Sequence, residues 1–222
     1  MSADRISKKQ MKEDKLVSTA FRFSEYIQNN KRAFIIGGSA VVAIFLIFLF
    51  MDSYTKKQND NAKDLFARGN LSMDMGAGDE AVADFKTIVE DYSGTAPAAQ
   101  ACFLLSNVLY EQKKYDEAMT YFEVVLSKYS DDKVMSSNAA GGLGSCYKIK
   151  GEFAKAAEYY KKAADYSEDP IFTPGFLLQA GDNYVVGGDV ESAKACYQQI
   201  IDEYTSSQEI QTAKRSLAAL EI

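Results

Sequence analysis

The sequence predicts an all-α protein with one N-terminal transmembrane helix, an α-solenoid of about four helical hairpins and a C-terminal capping helix. Three observations carry this prediction. Residues 33–51 (AFIIGGSAVVAIFLIFLFM) contain no charge, residues 60–205 repeat at intervals of 37 or 38 positions, and residues 207–221 have the apolar spacing of an amphipathic helix. These features divide the chain into an N-terminal tail (1–32), a span (33–51) and a repeat domain (52–222).

The uncharged run has the length of a membrane-spanning helix. At a rise of about 1.5 Å per residue it covers roughly 28 Å, close to the ~30 Å hydrocarbon core of a bilayer. A helix also satisfies every backbone hydrogen bond in lipid. The run is too long for the ~7–15-residue apolar core of a cleaved signal peptide, and neither a small-residue cleavage pattern nor a cysteine for lipid attachment follows it in MDSYTKK. The sequence therefore predicts an uncleaved signal anchor.

Charge is distributed unevenly along the chain. The tail of residues 1–32 is basic, with a net charge of +4, whereas residues 52–222 hold 17 basic and 27 acidic residues and carry a net charge of −10. A domain this acidic repels phosphate backbones, so the sequence predicts no binding of nucleic acid. Because a short basic tail is retained in the cytoplasm and a long folded domain is translocated largely regardless of its charge, we expect a cytoplasmic N-terminus and an external repeat domain.

The tail contains one short helical pattern. Residues 1–14 are polar and are predicted to be disordered, and apolar residues then recur at helical spacing between Leu16 and Ile27. Nearby lysines and arginines would suit an amphipathic helix on the cytoplasmic face of the membrane. A helix that merely precedes the anchor is an equally good interpretation.

Four units of the repeat domain align at about 60–93, 97–130, 134–167 and 172–205. One column is alanine, at Ala81, Ala118, Ala156 and Ala193. Four residues later a column is aromatic, at Phe85, Phe122, Tyr160 and Tyr197. Twelve residues before the alanine a column is tiny, at Gly69, Ser106, Gly144 and Gly181. Coincident columns at a fixed period indicate a repeat protein.

The columns are typical of a helical hairpin. Each unit has a polar turn at its centre, and Asp79, Asp116 and Asp189 lie where a first-turn or N-cap acid would satisfy the free N–H groups of the second helix. The tiny residue allows the two helices of a unit to approach closely, and we expect the aromatic residue to fill the space against the next unit. No hairpin buries its apolar face alone, so the units must stack as a solenoid, closed by the amphipathic helix at 207–221.

The columns resemble the tetratricopeptide repeat. The third unit carries the pattern most fully, in Leu143, Gly144, Tyr147, Gly151, Phe153, Ala156, Tyr160 and Ala163. The first unit departs from it, with Arg68 and Ser72 at positions where apolar residues are expected. The resemblance covers residues 60–205 and implies a scaffold that binds other proteins.

A basic tail, one N-terminal span and a short external array of these repeats together resemble the YfgM-like family. This resemblance implies an ancillary subunit of the bacterial Sec translocon, single-pass in the inner membrane with a periplasmic repeat domain. It implies translocon subunits or a membrane-anchored periplasmic chaperone as partners. The repeats are also similar to those of envelope assembly lipoproteins, whose lipid-attachment cysteine is missing here.

The sequence offers little for catalysis. It contains no histidine, which excludes Ser-His and Cys-His nucleophile chemistry. Cys102, Cys146 and Cys196 are isolated and fit small apolar core residues better than a redox site. No residues have the spacing of a catalytic or metal site, so we expect no enzyme activity, no cofactor, no metal and no small-molecule substrate.

The first helices of successive tetratricopeptide units line a groove that holds a partner segment. The register of this resemblance assigns seven residues to that groove, namely Phe103, Asn107, Tyr110, Ser145, Lys148, Leu178 and Asp182. Phe103, Tyr110 and Leu178 would be apolar anchors, and Asn107, Lys148 and Asp182 would pair with the backbone or charges of the partner. The alternative is that some of them pack against a neighbouring helix or the capping helix.

The sequence therefore favours a membrane-anchored, non-catalytic scaffold that binds protein partners outside the cytoplasm and assists Sec-dependent export or the folding of exported proteins. A scaffold of another cell-envelope assembly complex, and a structural homo-oligomer built through the span, are alternatives. An enzyme or redox protein that uses a lone cysteine or carboxylates is a hypothesis from a different class, and thiol accessibility distinguishes it.

Overall fold

The computed structural model describes residues 8–220, apart from the side chains of residues 8–16, 20 and 34. Predictions for residues 1–7 and 221 therefore lie outside the described residues. The described residues form α-helices without any strand, which confirms the all-α class. The helices are α1 Lys8–Asn29, α2 Lys31–Asp74, α3 Gly78–Asp91, α4 Ala98–Glu111, α5 Tyr115–Lys128, α6 Lys133–Ile149, α7 Phe153–Tyr166, α8 Thr173–Gly187, α9 Val190–Glu203 and α10 Ile210–Ala219.

The chain divides into two compact units, Met1–Lys56 and Lys57–Ile222. In the first unit α1 begins at Lys8, which corrects the prediction of disorder up to residue 14. Its first residues, KKQMKED, are mostly good helix formers and include no Gly or Pro, so nothing there delays the helix.

The predicted span lies within α2, which is long and apolar enough to cross a membrane. Its side chains from Ile35 to Met51 are all exposed in the folded chain. A core helix of a soluble protein would bury these side chains, so the exposure matches the prediction that they need another apolar environment. The helix is a candidate membrane span.

The second unit is a solenoid of helical hairpins. The last part of α2 packs on α3 through the Phe66–Phe85 ring pair and the Arg68–Asp84 ion pair. The pairs α4–α5, α6–α7 and α8–α9 follow, and from α3 to α10 each helix packs on the next along the chain. The predicted solenoid is thereby confirmed. The closing helix α10 packs on α9 through the buried Ala213 and starts at Ile210, three residues later than the predicted 207, because residues 205–209 form a turn.

The tiny and aromatic columns meet inside the first, third and fourth hairpins. A Cβ placed at Gly69 would lie 2.6 Å from the Phe85 ring, and one at Gly181 would lie 2.5 Å from the Tyr197 ring. The predicted contact with the next unit also occurs. A Cβ at Gly142 of the following hairpin would lie 2.4 Å from the Phe122 ring, and Tyr197 clusters with Ala213 of α10. In these three hairpins the aromatic ring occupies the volume that the missing side chain of the glycine leaves vacant.

The first hairpin keeps its two unexpected polar residues by pairing them with acids of α3. The Arg68 guanidinium donates two hydrogen bonds to the carboxylate of Asp84, one of them from Nε to Oδ2 at 2.7 Å. Asp84 is buried, and a buried carboxylate needs such a partner. The Ser72 hydroxyl lies 3.4 Å from Oε2 of Glu80.

The central turn of every hairpin contains one residue in the left-handed backbone region. Three of these residues are Gly76, Gly151 and Gly188, with φ of 73°, 76° and 85°. The residue in the second hairpin is Lys113, with φ of 62°. The left-handed conformation crowds Cβ against the following carbonyl, so this turn carries strain that the other three avoid.

We expect Lys113→Gly to raise the free energy of unfolding by roughly 0.5–1 kcal/mol, because glycine adopts the left-handed conformation without a steric cost. Urea denaturation of the full chain, followed by circular dichroism, would measure this gain. The reciprocal change Gly151→Lys should destabilise the chain by a similar amount. A Lys113→Gly chain no more stable than the wild type would contradict the interpretation.

Acids begin the second helices as predicted. Asp189 is the N-cap of α9 and accepts a hydrogen bond from the Ser192 N–H at 3.1 Å, and its hydrogen bonds with Ser192 hold the pKa of Asp189 below its ordinary value. Asp79 and Asp116 lie in the first turns of α3 and α5. Asp116 also accepts a hydrogen bond from Lys150 Nζ at 2.6 Å, so these acids connect the turns of successive hairpins.

Candidate partner-binding groove

The first helices of successive hairpins lie side by side, since α4 contacts α6 as well as its own partner α5. Between α6 and α8 this arrangement leaves a groove of about 450 Å³. The groove is lined by Asn138, Gly141, Ser145, Tyr160, Phe172, Gly175, Phe176 and Gln179. We call this feature the α6–α8 groove. Its lining combines aromatic rings with amide and hydroxyl groups.

Ser145 is the predicted residue that lines the α6–α8 groove. Its Oγ donates to the Gly141 carbonyl at 3.0 Å and lies 2.9 Å from the hydroxyl of Tyr160. Burial raises the pKa of Tyr160, so the phenol stays neutral at physiological pH. The pair fixes a polar point on the groove floor whose hydroxyl oxygens are able to accept a hydrogen bond.

Lys148 stands at the edge of the same groove. Its Nζ donates to Oε1 of Gln179 at 3.0 Å, which bridges α6 and α8. Lys148 is exposed, and Gln179 lines the groove. The bridge is solvent-accessible and exchangeable, because an exposed hydrogen bond contributes little net free energy and a partner carbonyl or carboxylate can replace it.

The two predicted residues on α8 have different environments. Asp182 is exposed and accepts a hydrogen bond from the Tyr197 hydroxyl at 2.8 Å. The pKa of the Tyr197 phenol is raised by burial of its ring and by the neighbouring carboxylate of Asp182. Leu178 is half-buried and packs against the core around Leu177, so its contacts within the fold match the alternative of internal packing.

The three predicted residues on α4 are half-buried and lie outside the α6–α8 groove. The Phe103 ring is 6.4 Å from the ring of Phe122, in an edge-on arrangement. The Tyr110 ring is 5.5 Å from that of Tyr115. These contacts give Phe103 and Tyr110 a packing role in the second hairpin. A binding role for Asn107 and its two aromatic neighbours stays a prediction.

The sequence interpretation did not include Asn138, Phe172, Phe176 and Gln179 among the groove residues. One signal was available, because the segment PIFTPGF between the third and fourth units contains three large apolar residues where the other connections are polar. Gly141 is the matching feature on α6, since a Cβ there would lie 2.7 Å from the Phe176 ring. The Phe176 ring of α8 therefore packs directly on the α6 backbone at Gly141.

The three cysteines are buried, as predicted. Burial raises the pKa of Cys102 to about 12 and the pKa values of Cys146 and Cys196 to about 11. The thiolate is the reactive form of cysteine, and at these pKa values it is scarce near neutral pH. This environment disfavours the redox hypothesis.

We expect none of the three cysteines to react with a thiol reagent at about pH 8 while the chain is folded, because each is both buried and protonated. All three should react after unfolding in urea. Ser127→Cys supplies a control, since residue 127 is exposed on α5 and its thiol should react at once. A cysteine that reacts rapidly in the folded wild type would return the redox hypothesis to consideration.

Solved structures with the same repeat fold include a tetratricopeptide repeat protein from Parabacteroides merdae, at 18% identity and a TM-score of 0.59 over 73% of this chain and 60% of that chain. MamA residues 41-end from Desulfovibrio magneticus RS-1 is 20% identical with a TM-score of 0.51, over 82% of this chain and 95% of that chain. PilF of Pseudomonas aeruginosa is 21% identical with a TM-score of 0.50, over 70% of this chain and 66% of that chain.

At these identities the solved structures show a shared fold alone, and the chain spans 60% of the length of the Parabacteroides protein. No curated protein matches the sequence. The tetratricopeptide repeat-like domain family matches residues 24–221, nearly the whole chain. The hairpin geometry and this match agree, and the chain belongs to the tetratricopeptide repeat-like domain family.

Proposed function

We propose that this chain is a membrane-anchored, non-catalytic scaffold whose repeat domain binds a protein partner outside the cytoplasm. The observation that carries the proposal is the α6–α8 groove, in which the Phe176 ring lies beside the hydroxyl groups of Ser145 and Tyr160. Apolar surface for anchoring and fixed polar groups for orientation are what a peptide-binding site requires. The exposed Lys148–Gln179 bridge adds a contact that a partner can replace.

The anchoring part of the proposal rests on α2. Leaving the apolar side chains of Ile35–Met51 in water is unfavourable by about 25 cal/mol per Å² of apolar surface, and a bilayer removes this cost. Tethering also strengthens binding, because a membrane-held domain meets a membrane-held partner at a high effective concentration. Modest contacts in the groove then suffice.

We further propose that the scaffold serves Sec-dependent export or the folding of exported proteins. The order of tail, span and repeats, which resembles the YfgM-like family, supports this role. In this proposal the chain lies in the bacterial inner membrane with a cytoplasmic N-terminus and a periplasmic repeat domain. Its partners are translocon subunits or a membrane-anchored periplasmic chaperone. A scaffold of another cell-envelope assembly complex is the runner-up.

Site-specific photo-crosslinking in the native membrane tests the groove and its partner together. A photoreactive residue would replace Lys148, whose hydrogen-bond partner Gln179 lines the groove, or Asn138, which lines the groove and is exposed. Glu158, exposed on the second helix of the third hairpin, is the matched control position. We expect adducts from the first two positions and none from the third. Mass spectrometry would identify the adducts.

The identity of the adducts decides between the hypotheses. Translocon subunits or an anchored chaperone would support the export role. Subunits of a different envelope complex would keep the scaffold and overturn the export role. Adducts to a second copy of the chain would favour the homo-oligomer, and equal adducts from all three positions would contradict binding through the groove.

The topology has its own test. Alkaline extraction should leave the full chain in the membrane fraction, since a single apolar span of this length resists release. Protease added to the outside of spheroplasts should digest the repeat domain and leave the tail protected. Protection of the repeat domain instead would reverse the proposed orientation.

A further inference from the structure

The connection between α7 and α8, residues 167–172 (SEDPIF), exposes two large apolar side chains. Ile171 is 74% exposed and Phe172 is 64% exposed. Val134, on α6 in the third hairpin, is 71% exposed and lines the same surface. We call Pro170, Ile171 and Phe172 the apolar ridge. An exposed ridge of this kind costs free energy in water and often marks an interaction site.

The repeat architecture does not require these side chains. The equivalent connections at 92–97 (YSGTAP), 129–132 (YSDD) and 204–209 (YTSSQE) contain no Ile, Leu, Val, Met or Phe. A hydrophobic staple at the start of α8 would bury Ile171 against Phe176, four residues inside the helix. Ile171 is too exposed for such a staple, so the ridge has no evident structural role.

Hydrogen bonds fix the backbone under the ridge. The Ile171 N–H donates to Oδ1 of Asp169 at 2.8 Å. The buried Thr173 donates to the Asp169 carbonyl twice, from its N–H at 3.0 Å and from its hydroxyl at 2.7 Å. The ridge is therefore held outward by an ordered turn. A partner that covers it pays little of the ordering cost that flexible loops impose on binding.

The ridge separates two concave surfaces of about 620 Å³ each. The first is lined by the start of α6 and by Phe176, and the second by residues 203–209 at the end of the solenoid. Phe172 and Phe176 also line the α6–α8 groove, so the ridge adjoins that groove. A segment bound in the groove is thus able to continue onto the ridge.

Charge around the ridge favours one kind of partner. Four carboxylates line the two concave surfaces, those of Glu168, Asp169, Glu203 and Glu209. The lysine that lines them, Lys133, is already paired with Glu168. An acidic rim attracts lysine and arginine and repels anionic lipid head groups. It also repels a second copy of a repeat domain that carries a net charge of −10.

We propose that the apolar ridge is a second docking surface, which binds a partner segment carrying large apolar side chains flanked by lysine or arginine. This inference rests on the proposed function, since it extends partner binding from the α6–α8 groove onto the ridge. Ile171 and Phe172 would enter the apolar part of the interface, where buried aromatic and aliphatic anchors dominate affinity. Glu203 and Glu209 would pair with the basic residues.

The test uses the full chain in nanodiscs of neutral phosphatidylcholine. The probe is a short fluorescent peptide of Lys and Leu with helical spacing, and its fluorescence anisotropy measures its binding to the chain. Empty nanodiscs give the background. We expect Ile171→Ser combined with Phe172→Ser to weaken binding about tenfold, because two central anchors are lost. Val186→Ser is the matched control, since Val186 is 61% exposed on α8 and does not line these surfaces.

A second variant tests charge without touching the ridge. Glu203→Gln combined with Glu209→Gln should weaken binding several-fold and reduce its dependence on salt. A Glu and Leu peptide of the same pattern should bind far more weakly than the Lys and Leu peptide. Equal binding of both peptides, or full binding by the Ile171 and Phe172 variant, would overturn the proposal.

Two other occupants give distinct results. Binding to phosphatidylglycerol vesicles that the ridge variant abolishes would assign the ridge to the membrane. A concentration-dependent dimer that the same variant abolishes would assign it to a second copy. Either result overturns the proposal. Crosslinking from Lys148 distinguishes failure of the ridge proposal from failure of the proposed function. Adducts at Lys148, together with peptide binding that does not depend on the ridge, would refute the ridge proposal and leave the proposed function standing.

Discussion

Replacing Phe122 with alanine is expected to lower the free energy of unfolding of the repeat domain by about 3–5 kcal/mol. The ring is 1% exposed and packs edge-on beside Phe103 of its own hairpin. It also fills the space over Gly142 of the next hairpin. Alanine would remove the contacts within the second hairpin and those between the second and third together, and helix backbones cannot close so large a cavity.

Urea denaturation of the full chain, followed by circular dichroism, would measure the loss. Glu123→Ala is the matched control, because residue 123 is exposed on the same helix and its truncation should change stability little. Phe122→Leu should recover part of the stability, since it restores part of the volume. If Phe122→Ala lost less stability than Phe122→Leu, the Phe122 ring would not be joining the two hairpins.

Gly181→Val is expected to cost about 3 kcal/mol, through overpacking rather than through a cavity. A Cβ at this position would lie 2.5 Å from Cε1 and 2.9 Å from Cζ of Tyr197. The Tyr197 ring is 1% exposed, and its hydroxyl donates to Asp182, so the ring has no free space to enter. Helices α8 and α9 must separate to admit the valine methyl groups.

The control for this variant lies on the same helix. A Cβ at Gly175 would meet no atom within 4 Å, so Gly175→Val should be neutral or slightly stabilising, because valine has a higher helix propensity than glycine. If Gly→Val lowers the free energy of unfolding at position 181 and not at position 175, the loss is due to packing at position 181. Equal losses at both positions would show that the close contact with Tyr197 is not the cause.

The repeat was visible in the sequence because its columns are local. Within a hairpin the tiny residue and the aromatic residue are 16 positions apart, as in Gly181 and Tyr197, and their spacing recurs in each unit. The order of the helices, the acids at their starts and the buried cysteines follow from that pattern. The contact between the aromatic ring and the glycine of its own hairpin was not predicted, because the pattern fixes which faces are apolar and leaves open which neighbouring helix covers them.

The groove was less predictable because it depends on pairs between hairpins. Lys148 meets Gln179 across 31 positions, and Gly141 receives Phe176 across 35 positions, in contacts that do not recur in the other units. Irregular pairs of this kind leave no period in the sequence. The register of the repeat therefore placed Ser145 and Lys148 at the groove and did not find Phe176 or Gln179.

The all-α class, the stacked hairpins and the uncharged run that is long enough to span a membrane are predictable from the sequence, because each follows from spacing along the chain. Which surfaces remain open is visible in the folded chain alone. The tertiary structure pairs Arg68 with the buried Asp84, opens a groove between α6 and α8, and holds Ile171 and Phe172 outward on a hydrogen-bonded turn. Exposure depends on where distant helices come to rest, and that geometry is set by packing across the whole solenoid.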